Sequence, residues 1–467
     1  MRETLERELK LSPGEGFVLP ELGGERLPTR IFISTYHDTA DLRLAQHGVT
    51  FRHRVEDGAG VWQLKLPRGD HRLELELSGP PARPPDEMVA LVQAYVRGRQ
   101  LVPVARLRTR REGVRAQGAE IVDDSVAVLD GQHVARRFRE VEVELLHGDE
   151  RTLRRLEKEL RRAGAEAGEF RPKLYRALDL AGPVDAVAIP SDASPGEALG
   201  LAFAEQYRQI LLYDPGTRQG SDPEDLHQLR VATRRTRAFL RAARPLLETD
   251  WAESLRAELG WLGGALGPAR DLDVMLERMR EEVAELGPDA GGAKGLIRLL
   301  EGERAAAYAA VVEALQSERY SALLDRLEQA ATPPLAEDGA SLAKIWKRQV
   351  KRMRKTFRAL GEDAGDDALH AARIDVKRSR YAAELAAHEL GKPADAFISA
   401  AKRLQDALGE HQDAVVAQER ILRWLASDPE AAFVAGRLVE RQYRRKADAR
   451  AAWPAAWRRL DRRAKAA

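Results

Sequence analysis

The sequence contains no cysteine, which excludes disulfide bonds, thiolate catalysis and cysteine-ligated zinc. It also lacks any run of about 18 apolar residues that could span a bilayer, and its first residues lack the apolar core of a secretory signal. Neither a Walker A loop nor a GxGxxG fingerprint is present. These absences predict a cytoplasmic protein that has no membrane partner and uses none of the common nucleotide-binding loops.

Net charge is nearly absent as well, because 76 Lys and Arg residues almost cancel 74 Asp and Glu residues and leave +2. Binding partners must therefore be inferred from local charge. The chain is nevertheless long, and 467 residues are too many for one small core, so we expect two or three domains.

The two parts of the chain differ in the period of their hydrophobic pattern. Up to about residue 180 apolar and polar residues alternate, which is typical of strands, and the rest has helical spacing. Between them, the segment 183–195 holds three prolines, as expected for a linker. The pattern predicts an α+β multidomain protein with an antiparallel sheet over 1–182 and an all-α part over 196–467, whose related halves lie at about 196–335 and 340–467.

The strand-like segments of the first part carry charges on one face and largely apolar residues on the other. A sheet with one wet face also alternates, but the usual fillers Ser, Thr and Asn are almost missing here. If the sheet closes with its charges inward, its lumen holds carboxylates suited to Mg²⁺ or Mn²⁺ and cations suited to phosphate oxygens. The acids are Glu6, Glu8, Glu74, Glu76, Glu140, Glu142 and Glu144, and the bases are Arg52, Arg54, Arg106, Arg108 and Arg110.

The helical part contains an internal repeat with an offset of 143 residues, which brings His227 onto His370. In each copy a histidine opens a helix whose cations recur at steps of three and four, so they share one face. The match extends downstream, where Gly267 and Asp271 correspond to Gly409 and Asp413. The repeated cations are Arg230, Arg234, Arg235 and Arg237 in the first copy and Arg373, Lys377, Arg378 and Arg380 in the second.

These stripes could be ordinary solvated helix faces, but such faces usually interleave acids, and residues 226–247 contain none. A further predicted helix, beginning at Trp346, adds seven more cations between Lys347 and Arg358. An extended polyanion touched by both copies therefore fits better. Nucleic acid is the disfavoured polyanion because aromatic residues for base stacking are not interleaved. The two histidines could cap their helices, pack, or donate to a phosphate.

The first 180 residues resemble the CYTH superfamily, the triphosphate tunnel metalloenzymes. Glu6, Glu8 and Lys10 match its ExExK signature, and the remaining matches follow in the family's order. They are residues 36–39, Arg52, Arg54, Lys65, Arg72, Glu74, Glu76, residues 140–144, Lys173, Tyr175 and Arg176. One departure is Pro172, where the family often has Ser, and it removes a hydrogen-bond donor.

The second half is similar to the CHAD domain, a helical module often fused to CYTH. Its marks in the first copy are His227, Arg230, Arg234, Arg235 and residues 269–273. The second copy departs from them at Lys377 and at Gln412, which stands where Arg270 stood. We therefore expect anion binding by both copies, with one side weaker.

The two resemblances imply metal-dependent hydrolysis of inorganic triphosphate in the tunnel and binding of inorganic polyphosphate by the helices, including association with polyphosphate granules. Alternatives are a non-catalytic polyphosphate-binding or targeting protein, or an enzyme of the same fold acting on thiamine triphosphate or cyclising ATP. The resemblance implies catalytic roles for Lys10, Lys173 and Glu76; substrate contacts for Arg52, Arg54, Lys65, Arg72, Arg106 and Arg108; metal ligation by Glu6, Glu8, Glu74, Glu140, Glu142 and Glu144; and polyphosphate contacts for His227, Arg230, Arg234, Arg235, Arg237, His370, Arg373, Lys377, Arg378 and Arg380. The oligomeric state is not indicated.

Overall fold

A computed structural model describes residues 1–69, 71–168, 171–183, 188–336, 341–361 and 364–466. The chain divides into two compact units, Met1–Asp185 and Ala186–Ala467. The predicted linker, 183–195, includes residues 184–187, and the predicted second half of the repeat has its limits at 340 and 467. These positions lie outside the described residues, so the domain limits remain predictions.

In the first unit the described residues form ten strands and five helices. The strands are β1 (Arg2–Glu6), β2 (Glu8–Pro13), β3 (Glu25–Asp38), β4 (Thr50–Glu56), β5 (Ala59–Arg68), β6 (His71–Ser78), β7 (Val102–Ala116), β8 (Ala119–Asp130), β9 (His133–Leu145) and β10 (Ala165–Ala167). The helices are α1 (Arg43–Gln46), α2 (Asp86–Leu91), α3 (Gln93–Val96), α4 (Glu150–Arg162) and α5 (Lys173–Leu178).

The strands pair in the order β1-β6-β5-β4-β3-β7-β8-β9-β2-β10, and every pair is antiparallel. β1 and β2 are consecutive pieces of chain, yet β1 pairs with β6 and β2 pairs with β9. The change of partner occurs at Arg7, whose carbonyl accepts a hydrogen bond of 2.9 Å from the Leu145 amide. One N-terminal segment therefore closes the sheet into a tunnel and confirms the expected antiparallel β architecture.

The two faces of this closed sheet follow the alternation of its strands. On the outside, Ile121, Val141 and Val143 form a core with Leu156 and Leu160 of α4, all of them buried. On the inside the charged alternates are left facing one another. At one end of the interior, Leu174 and Tyr175 of α5 pack against inward-facing residues of β3, β7 and β8. Lys173, the first residue of α5, is thereby carried into the tunnel.

In the second unit the described residues form ten helices and short 3₁₀ turns. The helices are α6 (Pro195–Gln219), α7 (Pro223–Ala242), α8 (Thr249–Ala284), α9 (Lys294–Gln316), α10 (Glu318–Gln329), α11 (Leu342–Arg358), α12 (Asp366–Leu385), α13 (Ala387–Leu390), α14 (Lys392–Ser427) and α15 (Ala432–Ala466).

The sequence repeat reappears as a repeat of helix lengths. α7 and α12 each have 20 residues, and the long helices that follow, α8 and α14, each have 36. α7 contacts α12, so the two related helices meet. The expected helical second part is thus confirmed. Among the described residues, no helix is long and apolar enough to cross a membrane.

Candidate functional site

The tunnel encloses a cavity of about 330 Å³ whose lining is mostly charged. Residues directly opposite in an antiparallel pair point to the same face. Arg52 lies opposite both Tyr36 and Gln63, and Gln63 lies opposite Glu76, so one inward row crosses four strands. The predicted site residues that line the cavity are Glu6, Glu8, Lys10, Arg52, Arg54, Lys65, Arg72, Glu74, Glu76, Glu142, Glu144 and Lys173.

Three carboxylates form a ladder across β2, β9 and β8, because Glu8 and Glu120 both lie opposite Glu144. Like charges in directly opposite positions destabilise a sheet unless something compensates them. Burial, followed by the nearby Glu6 and Glu74 carboxylates, raises the pKa of Glu144 to about 7. This carboxylate ladder (Glu8, Glu144, Glu120) therefore has the surplus of negative charge that a hard divalent cation would neutralise.

Glu6 and Glu74 lie beside the ladder and share Lys65. The Lys65 ammonium donates to both Glu6 carboxylate oxygens, at 2.6 and 2.7 Å, and lies 3.5 Å from a Glu74 oxygen. Burial raises the pKa of Glu6, and the Lys65 charge only partly offsets it. The single positive charge of Lys65 does not balance the two negative charges of Glu6 and Glu74, so a further cation could be bound here.

A second cluster gathers two buried lysines among three buried carboxylates. The Lys173 ammonium lies 2.9 Å from Asp124, 2.6 Å from Glu140 and 2.9 Å from Glu142. The Lys10 ammonium donates to Glu142 at 2.6 Å and lies 3.9 Å from Glu140. Burial alone would raise the pKa of Glu142, but Lys10, Lys173 and Arg111 lower it well below its usual range. We call this set the lysine cluster.

The carboxylates of the lysine cluster have the spacing of a metal site. Single oxygens of Asp124, Glu140 and Glu142 lie within 4.8 Å of one another and could hold an ion. In the structure, however, the Lys173 ammonium sits among these oxygens and already supplies their positive charge. Glu140 also accepts from Arg176 at 2.9 Å. The predicted ligands Glu140 and Glu142 are thus engaged by lysine ammonium groups at 2.6–2.9 Å. In the carboxylate ladder the contacts with cations are longer, 3.7 Å from Glu8 to Lys10 and 3.4 Å from Glu120 to Arg115.

Replacing Lys173 by methionine is expected to lower the free energy of unfolding by about 3–5 kcal/mol, because the buried carboxylates lose their shared cation. Urea denaturation followed by circular dichroism measures the loss. Mg²⁺ should restore more stability in Lys173→Met than in the wild type, since the freed oxygens can bind the ion. Lys158→Met, on the exposed side of α4, is the control. Equal stability of the two variants would contradict the pairing described.

Two predicted substrate contacts do not face the cavity. Arg106 and Arg108 are exposed on the outer face of β7 and are absent from the cavity lining, which corrects their expected inward orientation. The inward residues of this stretch are Leu107 and Thr109. The physical reason is α5, which fills this end of the tunnel with apolar side chains, so β7 turns its leucine inward and its arginines outward.

The strand supplies a different arginine to the cavity. Arg111 lines it, and its guanidinium binds Asp124 through two hydrogen bonds of 2.8 and 2.6 Å and lies 3.1 Å from Glu142. Neither Arg111 nor Asp124 was among the residues predicted from the sequence. The adjacent pair Asp123 and Asp124 in an otherwise apolar segment was the available signal, because neighbouring residues of a strand must face opposite sides.

In the helical unit, α7 and α12 border a basic groove. Two cavities of about 270 and 250 Å³ share four lining residues and are therefore continuous. The groove is lined by the predicted residues Arg234, Arg237, Lys377 and Arg378, and also by Arg241, Arg244, Arg256 and Arg352. Glu253 is the acid in this lining, and it pairs with Arg256 at 2.5 Å. Asp375 pairs with Arg378 at 2.9 Å and with Arg352 at 3.3 Å. Among the described residues, no carboxylate lies within ion-pair distance of the groove cations Arg234, Arg237, Arg241 and Lys377.

The repeat explains the glycines that accompany the stripes. The Arg230 guanidinium lies over Gly267 and donates to Asp271 at 3.1 Å. In the second copy the Arg373 guanidinium lies over Gly409, where an added Cβ would come within 3.3 Å of it. Asp413 adds its charge near Arg373. Because glycine has no side chain, each arginine can lie directly against the backbone of the long helix that follows.

The cations of the two copies influence one another directly. Burial, then Arg373, Arg234 and Arg230, lowers the pKa of Lys377 to about 7. Arg234 also donates to the Tyr381 hydroxyl of α12 at 3.2 Å. The two stripes therefore form one cationic surface, and the crowding of its charges favours a bound anion.

The other six predicted contacts are absent from the lining of both groove cavities: His227, Arg230, Arg235, His370, Arg373 and Arg380. Arg235 and Arg380 both pair with Glu384, at 3.2 and 2.8 Å, and neither lines the groove cavities. The half-buried His227 has its pKa lowered by burial and then by Arg270. His370 is exposed, with its Nδ1 atom 3.2 Å from the side-chain oxygen of Gln412. The acids that neutralise part of the first stripe thus come from other helices.

Comparison with known proteins agrees with this two-unit arrangement. The CYTH domain family model matches residues 4–175 and the CHAD domain family model matches residues 201–422. Two relatives from Mycobacterium tuberculosis strains, the uncharacterized proteins MT2285 and Rv2226, are each 32% identical over 466 residues, covering 90% of this chain and 88% of the relative. The chain belongs to the family of proteins that join a CYTH domain to a CHAD domain.

Two solved structures resemble part of the chain. PptA from Streptomyces chartreusis aligns with a TM-score of 0.50 at 24% identity and covers 57% of this chain and 100% of its own, which shows a shared fold. The CHAD domain from the plant Ricinus communis aligns with a TM-score of 0.49 at 28% identity, covering 59% of this chain and 95% of its own.

Proposed function

We propose that the tunnel hydrolyses inorganic triphosphate to pyrophosphate and phosphate, and that the helical unit binds inorganic polyphosphate. The observation that carries the first part is one cavity in which a surplus of carboxylate lies beside a surplus of guanidinium and ammonium. A triphosphate with a divalent ion presents the complementary charges, positive at the metal and negative along the chain. Membership of the CYTH family supports action on a triphosphate.

The chemistry of the donors suits a hard divalent cation, Mg²⁺ or Mn²⁺. Glu6, Glu8, Glu74 and Glu144 are the proposed ligands. Burial and neighbouring carboxylates raise the pKa of Glu6 and Glu144 even though Lys65 lies beside them, so this single ammonium does not neutralise the group. A bound ion supplies neutralisation of phosphate charge and lowers the pKa of a bound water. This assignment replaces Glu140 and Glu142 as ligands, since those carboxylates hold Lys10 and Lys173.

The cationic side chains would bind and orient the phosphate chain. Burial and then Arg52 lower the pKa of Arg54 to about 10, which marks a crowded cationic site. A polyanion would relieve that crowding and be held by Arg52 and Arg54, whose guanidinium groups can form paired hydrogen bonds to phosphate oxygens. Lys10 and Lys173 would stabilise charge that develops on the terminal phosphoryl group. Glu76 remains the proposed group that orients the attacking water.

The cavity favours a bare phosphate chain over a nucleotide or thiamine triphosphate. Its aromatic lining residues are Phe32 and Tyr36. The Arg54 guanidinium covers the Phe32 ring at 3.8 Å, and the Tyr36 hydroxyl accepts from Arg52 at 3.1 Å. Neither ring is therefore open to stack a base. Phosphate release from tripolyphosphate, ATP and thiamine triphosphate, each with Mg²⁺ and with Mn²⁺, tests the proposal, and faster release from either organic substrate would replace it.

The basic groove supports polyphosphate binding by the helical unit. Its cations come from both sequence copies and from α8 and α11, so they line an extended path. A featureless chain of phosphates needs repeated charge and no base-reading groups, which is what this lining offers. A non-catalytic polyphosphate-binding protein would use the same groove, and the phosphate-release assay separates that alternative from ours.

Polyphosphate affinity is expected to fall as pH rises through about 7, by roughly 3- to 10-fold between about pH 6 and pH 8.5. Lys377 has a pKa of about 7 in the free groove, and a bound polyanion raises it by favouring the ammonium form. Affinity is therefore constant below the free pKa and declines above it as the free lysine loses its proton. Fluorescence anisotropy across this range measures the decline.

The matched control is Lys377→Arg, because arginine stays charged throughout this range. The slope of affinity against pH should flatten in this variant. The rest of the groove is unchanged in it. An identical slope in Lys377→Arg and the wild type would show that Lys377 is not the responsible group.

A further inference from the structure

We propose that the solvent face of α11 is a second polyanion-binding surface, reached by a polyphosphate chain that leaves the basic groove at Arg352. The proposal rests on the proposed polyphosphate binding by the helical unit and extends it to chains longer than the groove. We define the α11 face as Lys347, Lys351 and Lys355, which recur at every fourth position and are all exposed.

The charge on α11 is entirely of one sign. Eight of its 17 residues are Lys or Arg and none is Asp or Glu. Its buried side is apolar and includes Trp346, Val350, Met353 and Phe357. The cations therefore occupy the whole remaining surface of the helix, from the groove side to the opposite side. Like charges four residues apart weaken a helix, so such an arrangement favours an anionic partner.

The helix connects two separate depressions. Gln349 and Arg352 line the groove. Lys347 and Lys351 line an open depression of about 590 Å³ on the other side, together with Lys465 of α15. Arg348 and Lys355 fall between these two sides by helical spacing and are exposed. A flexible anionic chain would thus meet a cation at each step from one depression to the other.

Acidic compensation on this side is slight. Asp461 is held by Arg354 at 2.8 Å and by Lys465 at 2.9 Å. Among the described residues, no carboxylate lies within ion-pair distance of Lys347, Lys351 or Lys355. These three ammonium groups are therefore available to a ligand.

The chemistry of the face selects a phosphate polymer over a membrane or a nucleic acid. The large apolar side chains of α11, Trp346 and Phe357, are buried, with 1% and 4% of their surfaces exposed. The face therefore offers no apolar wedge for a bilayer and no open ring for base stacking. What it offers is continuity with the groove at Arg352 and a row of point charges.

The test compares the full chain with the triple variant Lys347→Gln, Lys351→Gln, Lys355→Gln. With long-chain polyphosphate, we expect affinity to fall at least roughly tenfold at low salt and the slope of log K against log[salt] to become shallower by about 2, since each lost contact to a flexible polyanion removes about 0.7. Short-chain polyphosphate should bind equally well to both proteins. Glutamine preserves helix propensity, and the matching lysine-to-arginine triple should keep wild-type affinity.

The control triple is Arg280→Gln, Arg319→Gln, Arg444→Gln, whose arginines pair with Glu301, Glu258 and Glu440. It should bind long chains like the wild type. Unchanged long-chain affinity in the α11 triple, alongside weakened affinity in groove variants, would overturn this proposal and leave the groove in place. A wild type that binds no polyphosphate would overturn both. Selective loss of binding to single-stranded RNA or to anionic vesicles would assign the face to those partners instead.

Discussion

Replacement of Glu8 by glutamine is expected to reduce tripolyphosphate hydrolysis by at least about 100-fold while leaving the tunnel folded. Glutamine keeps the size of the side chain but removes the charge that a divalent ion requires. Loss of one carboxylate from the ladder also relieves repulsion with Glu144, so the free energy of unfolding should be unchanged or slightly higher. Phosphate release at saturating metal and urea denaturation measure the two effects.

Glu112→Gln is the matched control, since Glu112 is exposed on β7 and pairs with Arg110 at 2.5 Å. Its activity should equal that of the wild type. Full turnover by Glu8→Gln would refute the proposed metal site. An inactive but unfolded Glu8→Gln protein would instead show that Glu8 serves stability, and calorimetric titration with Mn²⁺ separates that outcome from a loss of metal.

Charge reversal at Arg230, Arg234 and Arg237 is expected to abolish polyphosphate binding by the helical unit. Arg234 and Arg237 line the groove with Lys377 and Arg378, and Arg230 is near enough to lower the pKa of Lys377. Each Arg→Glu change therefore removes one cation and adds an anion near these groups. Polyanion binding releases condensed counterions, so the wild type should show a steep loss of affinity with salt, and the triple variant should fall by at least roughly 1000-fold at low salt. Anisotropy titrations over a range of salt concentrations measure both.

The same acid-paired arginines serve as a control here, because reversing Arg280, Arg319 and Arg444 alters net charge equally without touching the groove. Retained affinity in the groove variant, or a wild type insensitive to salt, would mean that the stripes are ordinary solvated faces. Preference for single-stranded RNA at equal phosphate concentration would favour the nucleic-acid alternative.

Much of the fold could be predicted because its two halves have unmistakably different periods. Alternation at Glu6, Glu8 and Lys10 was enough to place all three on one face, and the structure has them lining one cavity. On β7, alternation predicted the wrong face for Arg106 and Arg108. The adjacent residues Arg110 and Arg111 put an arginine on each face of this strand, so charge alone does not indicate which face is inward. The inward parity there is set by the apolar packing of α5, a distant segment that local alternation cannot reveal.

The ion-pair partners of the predicted cations also could not be predicted from local sequence patterns. The stripe on α7 has no acid within residues 226–247, yet Glu384 and Asp271 reach Arg235 and Arg230 from α12 and α8. Likewise Asp124 of β8 binds Arg111 of the neighbouring strand β7 and Lys173 of α5. Such pairs depend on which elements become neighbours, and helical or strand spacing describes only one element at a time.

The N-terminal segment that closes the tunnel also determines the order in which the unit can be completed. β1 and β2 leave the ribosome before the other strands of this unit, but β2 pairs with β9, whose register joins Glu8 to Glu144. At usual rates of synthesis, roughly 7–30 s pass between the synthesis of β2 and that of β9. The carboxylate ladder can therefore assemble only after nearly the whole unit has been made. In a chain interrupted before β9, β1 could already pair with β6, but β2 would carry Glu8 without its β9 partner and the enclosed site would not yet exist.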